Sequence, residues 1–167
     1  AWYFDGSDVD LTTDGEDVDA IGFSADNRLL ISTLGDIKVN NQAGKVEAGK
    51  NEDLFAFQPA ALGEATAGQW SFHFDGSDVK LNKQKSELSG IWVDPDNGDL
   101  YLSTRGRFAV EGLSGDGSDI FICAPTSLGD ETACTFRSFW IGENAGFGKE
   151  TIDAFTFIPT VALPINA

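Results

Sequence analysis

Three short apolar runs punctuate the first part of the chain: Asp19-Ala20-Ile21-Gly22-Phe23, Leu29-Leu30-Ile31-Ser32-Thr33 and Asp53-Leu54-Phe55-Ala56-Phe57. Each is bounded by Gly, Asp, Asn or Pro. Runs this short, rich in aliphatic and aromatic residues and framed by turn formers, predict β-strands. No segment combines a helical apolar period with helix caps, so no helix competes with this reading. The pattern then returns downstream as Ser89-Gly90-Ile91-Trp92-Val93, Leu100-Tyr101-Leu102-Ser103-Thr104 and Asp119-Ile120-Phe121-Ile122-Cys123.

The return is a repeat. Trp2-Tyr3-Phe4-Asp5-Gly6-Ser7-Asp8-Val9 recurs as Phe72-His73-Phe74-Asp75-Gly76-Ser77-Asp78-Val79, and weakly as Ser138-Phe139-Trp140-Ile141-Gly142. Pro59 and Leu62-Gly63 match Pro125 and Leu128-Gly129, and Asp153-Ala154-Phe155-Thr156-Phe157 matches the Asp19–Phe23 run again. Four short strands per unit, repeated, predict an all-β chain of antiparallel four-stranded, propeller-blade-like repeats. One domain over 1–167 then holds unit 1 at about 2–69, unit 2 at about 70–135, a partial unit 3 at about 136–158 and a tail at 159–167.

Charge narrows the partners. The formal net charge is −16, from 27 acids against 11 bases. Such a polyanion repels nucleic-acid phosphates and anionic membranes. No apolar stretch is long enough for a spanning helix. The chain has no Met, and Ala1 reads as an end left by signal-peptide cleavage. In an exported protein, the two cysteines, Cys123 and Cys134, read as a disulfide. The expected location is therefore extracellular or at the cell surface.

In an up-and-down meander the acids collect at one end. Asp5, Ser7, Asp8, Asp10, Asp17 and Asp19 would crowd one hairpin end, with Asp14, Glu16, Glu52 and Asp53 nearby. Asp75 and Asp78 repeat the pattern in unit 2. Mutual repulsion there gives a reason to expect Ca2+, which is bound by several hard oxygens. The competing reading is turn formation, because Asp and Ser side chains bond nearby backbone N–H groups. In unit 2, Lys80, Lys83 and Lys85 stand where unit 1 has acids and pair charges directly. The Asp94–Asp99 segment is a second acidic turn, equally explained by its Asn97-Gly98 pair.

In order, FDGSDV, DVDA, a strand ending in LST, DLFAF and a P-x-x-LG segment resemble a tandem repeat of bacterial secreted and surface proteins. The resemblance covers Trp2 to about Phe157 and implies a propeller-like fold with no assigned catalytic residue. The tail Ile158–Ala167 is similar to the entry of a PEP-CTERM-type sorting segment, without its apolar helix and basic end.

No catalytic constellation emerges. The single His73 lies between aromatics, pointing with Ser71 and Asp75 away from Phe72 and Phe74, and reads as structural. No nucleophile elbow, HExxH, P-loop or dinucleotide fingerprint occurs. Incomplete repeats leave strand edges open for pairing with another copy. The expected role is a calcium-stabilised structural subunit of an extracellular fibre or surface assembly, not an enzyme. The alternative is a carbohydrate- or ligand-binding adhesion module, with a surface polysaccharide as its partner, using Trp2, Trp70, Trp92 and Trp140 as stacking platforms.

Overall fold

The computed structural model describes residues 1–82 and 86–157. The chain is all-β with antiparallel sheets. One sheet holds β1 (Val18–Phe23), β2 (Leu29–Thr33), β5 (Leu54–Ala61) and β6 (Ala67–Phe74), in that order. A separate hairpin, β3 (Ile37–Asn40) and β4 (Val46–Gly49), is inserted between β2 and β5. The second half repeats this. β7 (Leu88–Val93), β8 (Leu100–Thr104), β11 (Ile120–Ser127) and β12 (Ala133–Trp140) form the second sheet, with β9 (Phe108–Val110) and β10 (Leu113–Gly115) as its inserted hairpin.

The strand boundaries differ from the sequence expectation in two ways. Phe72–Phe74 and Ser138–Trp140 are the ends of β6 and β12, so the segments that open units 2 and 3 in sequence close the preceding sheets. Residues 151–157 of the partial third unit form no strand, although they pack as one. The tail at 158–167 and Lys83 and Lys85 lie outside the described residues.

The sheets are repeated down to their irregularities. Ladder shifts at Val18/Ala20, Leu54/Phe55 and Pro59/Ala61 recur at Leu88/Gly90, Ile120/Phe121 and Pro125/Ser127. Each is a β-bulge, which turns the following side chain to the other face. His73 is the extra residue of one. Phe72 therefore packs on Phe55 in one core cluster while Phe74 is fully buried in the other. This corrects the alternation expected around His73, which assumed an unbroken ladder.

β2 is buried throughout because both faces of the first sheet are covered. On one face Leu29, Ile31, Phe55, Phe57 and Trp70 pack under Val9, Phe4, Leu11 and the β3–β4 hairpin. On the other, Ala20, Leu30, Leu54 and Ala56 meet Val79, Leu81, Leu88, Ile91 and Val93 of the second unit. The second core thus spans both units, and β1 packs against β7. Fully burying each of these Leu, Ile or Phe side chains contributes about 2–3 kcal/mol.

Cys123 on β11 is bonded to Cys134 on β12, with Cα atoms 5.3 Å apart. Among the described residues, no helix is long and apolar enough to cross a membrane.

Candidate functional site

The acidic motif builds a corner that appears three times. Asp5-Gly6-Ser7-Asp8-Val9, Asp75–Val79 and Ile141–Ala145 each turn tightly after a strand-like segment. A backbone N–H five residues on closes each turn onto the glycine carbonyl: Leu11 to Gly6 at 3.0 Å, Leu81 to Gly76 at 2.8 Å and Phe147 to Gly142 at 2.8 Å.

The carboxylates are held by backbone donors. Asp5 Oδ1 accepts from Ser7 N–H at 3.1 Å and Ser7 Oγ at 2.6 Å. Asp75 Oδ1 does the same with Ser77 at 2.8 and 2.6 Å. Asp8 Oδ2 accepts from Thr66 N–H at 2.9 Å, and Asp78 Oδ2 from Thr132 N–H at 2.8 Å. The threonines answer in kind: Thr66 Oγ1 accepts from Asp5 N–H, and Thr132 Oγ1 from Asp75 N–H, both at 2.9 Å. Each circuit ties a corner to the loop between the last two strands of the adjacent sheet. Charge-assisted bonds of this kind are the stronger class.

A second aspartate clamps the later corners. Asp53 Oδ1 accepts from Gly76 N–H at 2.9 Å and its Oδ2 from Lys50 N–H at 2.8 Å. Asp119 repeats the grip on Gly142 N–H at 3.0 Å and Asp116 N–H at 3.1 Å. Glu52 and Asp53 therefore serve the Asp75 corner rather than the 5–19 segment with which the meander argument grouped them. Glu16 was equally illegible as an anchor. Its carboxylate accepts from Thr12 and Thr13 N–H at 2.9 Å and from Lys38 N–H at 3.2 Å. Burial pushes Glu16 up, but these bonds outweigh it and hold its carboxyl below the usual range. The Thr13-x-x-Glu16 spacing of a capping box was the available signal.

The remaining residues grouped as calcium ligands separate. Asp10, at φ 76°, uses Oδ2 to accept from Asn40 N–H and Nδ2, both at 3.0 Å. Asp17 points its side chain to solvent, and its carbonyl accepts from Leu34 N–H. Asp19 sits in the β1 bulge with one buried oxygen lacking a hydrogen-bond partner. Burial raises its pKa, with Asp153 and Glu87 adding to the rise and Arg105 opposing it. Among the described residues, no three or more His, Cys, Asp or Glu side chains are grouped to hold one metal ion. The Asp94–Asp99 segment is a hairpin turn, with Gly98 at φ 77° and Asp94 Oδ1 accepting from Asp96 N–H.

A cleft of about 850 Å³ lies beside the second corner, lined by Asp36, Lys38, Glu52, Asp53, Asp75 and Glu87 among others. Burial pushes Asp53 up to about 6, against the pull of its two N–H partners and with help from Glu52 and Asp75. Burial pushes His73 down to about 4, Arg28 adding to the effect and Asp26 opposing it.

These two shifts act in opposite directions on stability. His73 is lowered, so its contribution is complete above pH 6.5 and is lost as pH falls toward 4. Asp53 is raised, so its contribution is complete below pH 3.8 and is lost as pH rises through about 6. Relative to wild type, His73→Phe should raise the melting temperature more at pH 4.5 than at pH 7.5. Asp53→Asn should lower it more at pH 4.5 than at pH 7.5. Thermal melts monitored by circular dichroism across this range check both slopes.

No family model, curated protein or solved structure matches this chain. The tryptophans divide. Trp70 is in the core, its Nε1–H donating to Val9 O at 2.8 Å. Trp92 stands edge-on to Tyr101 and Phe157. Trp2 and Trp140 are exposed.

Proposed function

We propose that this chain is an exported structural module of an extracellular fibre or cell-surface assembly, built of blade-like repeats and joined to its neighbours through its two ends. The observation that carries this reading is the exposure of large apolar side chains at both ends of the repeat. Ile21 and Phe23 are 57% and 49% exposed on one side, and Phe139 and Trp140 are 48% and 40% exposed on the other. Apolar groups gathered in this way mark surfaces that meet a partner. The acids support a structural role too. Asp5, Asp8, Asp53, Asp75, Asp78 and Asp119 accept from backbone N–H groups at turns, which rigidifies the scaffold. The disulfide suits an oxidising compartment.

Calcium enters this reading through net charge. A module at −16 repels its own copies, and divalent counterions weaken that repulsion. Sedimentation velocity and negative-stain microscopy over a concentration series, with calcium and then with excess EDTA, test the proposal. Assembly that grows with concentration and is strengthened by calcium is expected. A monomer under every condition overturns it. Exposed Trp2 and Trp140 favour one rival, a sugar-binding module, and hits on a glycan array would bring it forward.

A further inference from the structure

Consecutive units stack by one rule, applied twice within the chain. In β7, Ile91 and Val93 are buried against the first unit, and Ile91 lies where a side chain on Gly22 would project, 3.1 Å from the Cβ such a residue would carry. One unit later, Phe155 lies over Gly90 in the same way, 2.8 Å from the corresponding Cβ position, and Phe157 packs on Trp92 with ring centroids 5.1 Å apart. The segment is pinned there by its own backbone. Ile152 O accepts from Ser89 Oγ at 2.9 Å and from Ser103 Oγ at 3.0 Å, and Ile152 N–H donates to Gly117 O at 2.8 Å. At each step, the large residue in the middle of the later unit's run sits on a glycine of the earlier one, Ile91 on Gly22 and Phe155 on Gly90, while Phe157 meets the Trp92 ring.

Positions that the rule covers between units are exposed on the two outer faces. Ile21 and Phe23 are the first unit's counterparts of Ile91 and Val93, or of Phe155 and Phe157, yet they face solvent. Ala154 and Thr156 are the third unit's counterparts of Ala20 and Gly22, and they are exposed between half-buried Phe155 and Phe157. The head thus presents Ile21 and Phe23, and the tail presents the smaller Ala154 and Thr156 beside the exposed Phe139 and Trp140.

We propose that a second copy of this chain docks head to tail, seating its Ile21 and Phe23 on Ala154 and Thr156 and continuing the β1–β7 interface from one molecule to the next. The proposal rests on the reading of the chain as an assembly module and names the surface that module uses. Because different patches meet, the contact is heterologous, and repetition closes a ring or extends a fibre. The contact is made by faces, not by hydrogen bonds between strand edges. Acids such as Asp19 and Asp153 flank it, so it strengthens with salt.

Two charged variants test it, Ile21→Glu at the head and Thr156→Arg at the tail. Both positions are exposed, so each variant should melt like wild type. Phe23→Lys and Ala154→Arg repeat the test at neighbouring positions. By sedimentation velocity, wild type should form oligomers whose size grows with concentration, and each variant alone should lose them completely. An equimolar mixture of head and tail variants has one intact interface per pair, so it should form dimers and nothing larger. If either variant alone assembles like wild type, or the mixture stays monomeric, this interface is overturned while the assembly reading stands. If wild type stays monomeric throughout, both fall.

Discussion

Gly76→Ala should lower the melting temperature by about 10 °C or prevent folding, whereas Gly6→Ala, at the same position of the same motif, should cost no more than about 1 kcal/mol. A methyl group on Gly76 would stand 2.2 Å from the Glu52 carbonyl oxygen and 2.9 Å from its carbonyl carbon. Both are backbone atoms held by neighbouring strands, so neither can yield. The required shift would also pull Gly76 N–H away from Asp53 and leave a buried carboxylate short of one donor. Together these effects cost about 3 kcal/mol or more. A methyl on Gly6 would meet its own neighbours Leu11 and Phe4 at 3.1–3.4 Å, and those side chains can give. Gly142→Ala should resemble Gly76→Ala, because its methyl would stand 2.3 Å from the Ser118 carbonyl oxygen. Differential scanning calorimetry of the three variants checks the ranking. The contrast matters for function. The close approach at Gly76 and Gly142 sets how each corner sits on the unit before it, and hence how the head and tail faces are presented.

The strands were legible because their cores are continuous. Leu29–Ile31 and Leu54–Phe57 are apolar without a break and buried on both faces, so no alternation was needed to find them. The disulfide was legible from two closely spaced cysteines read together with the expectation of export. The inserted hairpins were not, although Ile37-Lys38-Val39-Asn40 alternates buried and exposed as a half-buried strand should. The β3–β4 hairpin is longer than its β9–β10 counterpart, so the repeat falls out of register there and the match is hidden. The bulges at Asp19 and His73 defeat any argument from strict alternation, because one extra residue inverts the facing of all that follow. The acids were ambiguous for a different reason. Asp5 and Asp8 look alike as ligands or as turn formers until their partner is known, and that partner, Thr66, is remote in sequence and adjacent only in the fold.

Replacing the disulfide by the solution the first unit uses should recover most of what its removal costs. Cys123 and Cys134 occupy the places of Phe57 and Gly68, with Pro125 facing Cys134 as Pro59 faces Gly68. In the first unit the Phe57 ring lies over Gly68, and a Cβ there would be 2.4 Å from it, so only glycine fits. The ring packs against Trp70 and Phe4 at 4.8 and 5.4 Å, and their counterparts Phe136 and Phe74 line the second core. One large side chain over a glycine and two bonded cysteines are thus two ways of filling one site. Opening the short loop by Cys123→Ser with Cys134→Ser should cost about 2–3 kcal/mol. Cys123→Phe with Cys134→Gly should restore most of this by burying a ring where the sulfurs were. Cys123→Phe alone should be the least stable of the set, because the Cys134 Cβ occupies the space the ring needs. A double-mutant cycle in urea under reducing conditions, where no corner of the cycle keeps the disulfide, would then give a favourable coupling above about 1 kcal/mol between the two substitutions. Additive costs would mean that the paired positions are filled independently, and that the two units are not alternative packings of one design.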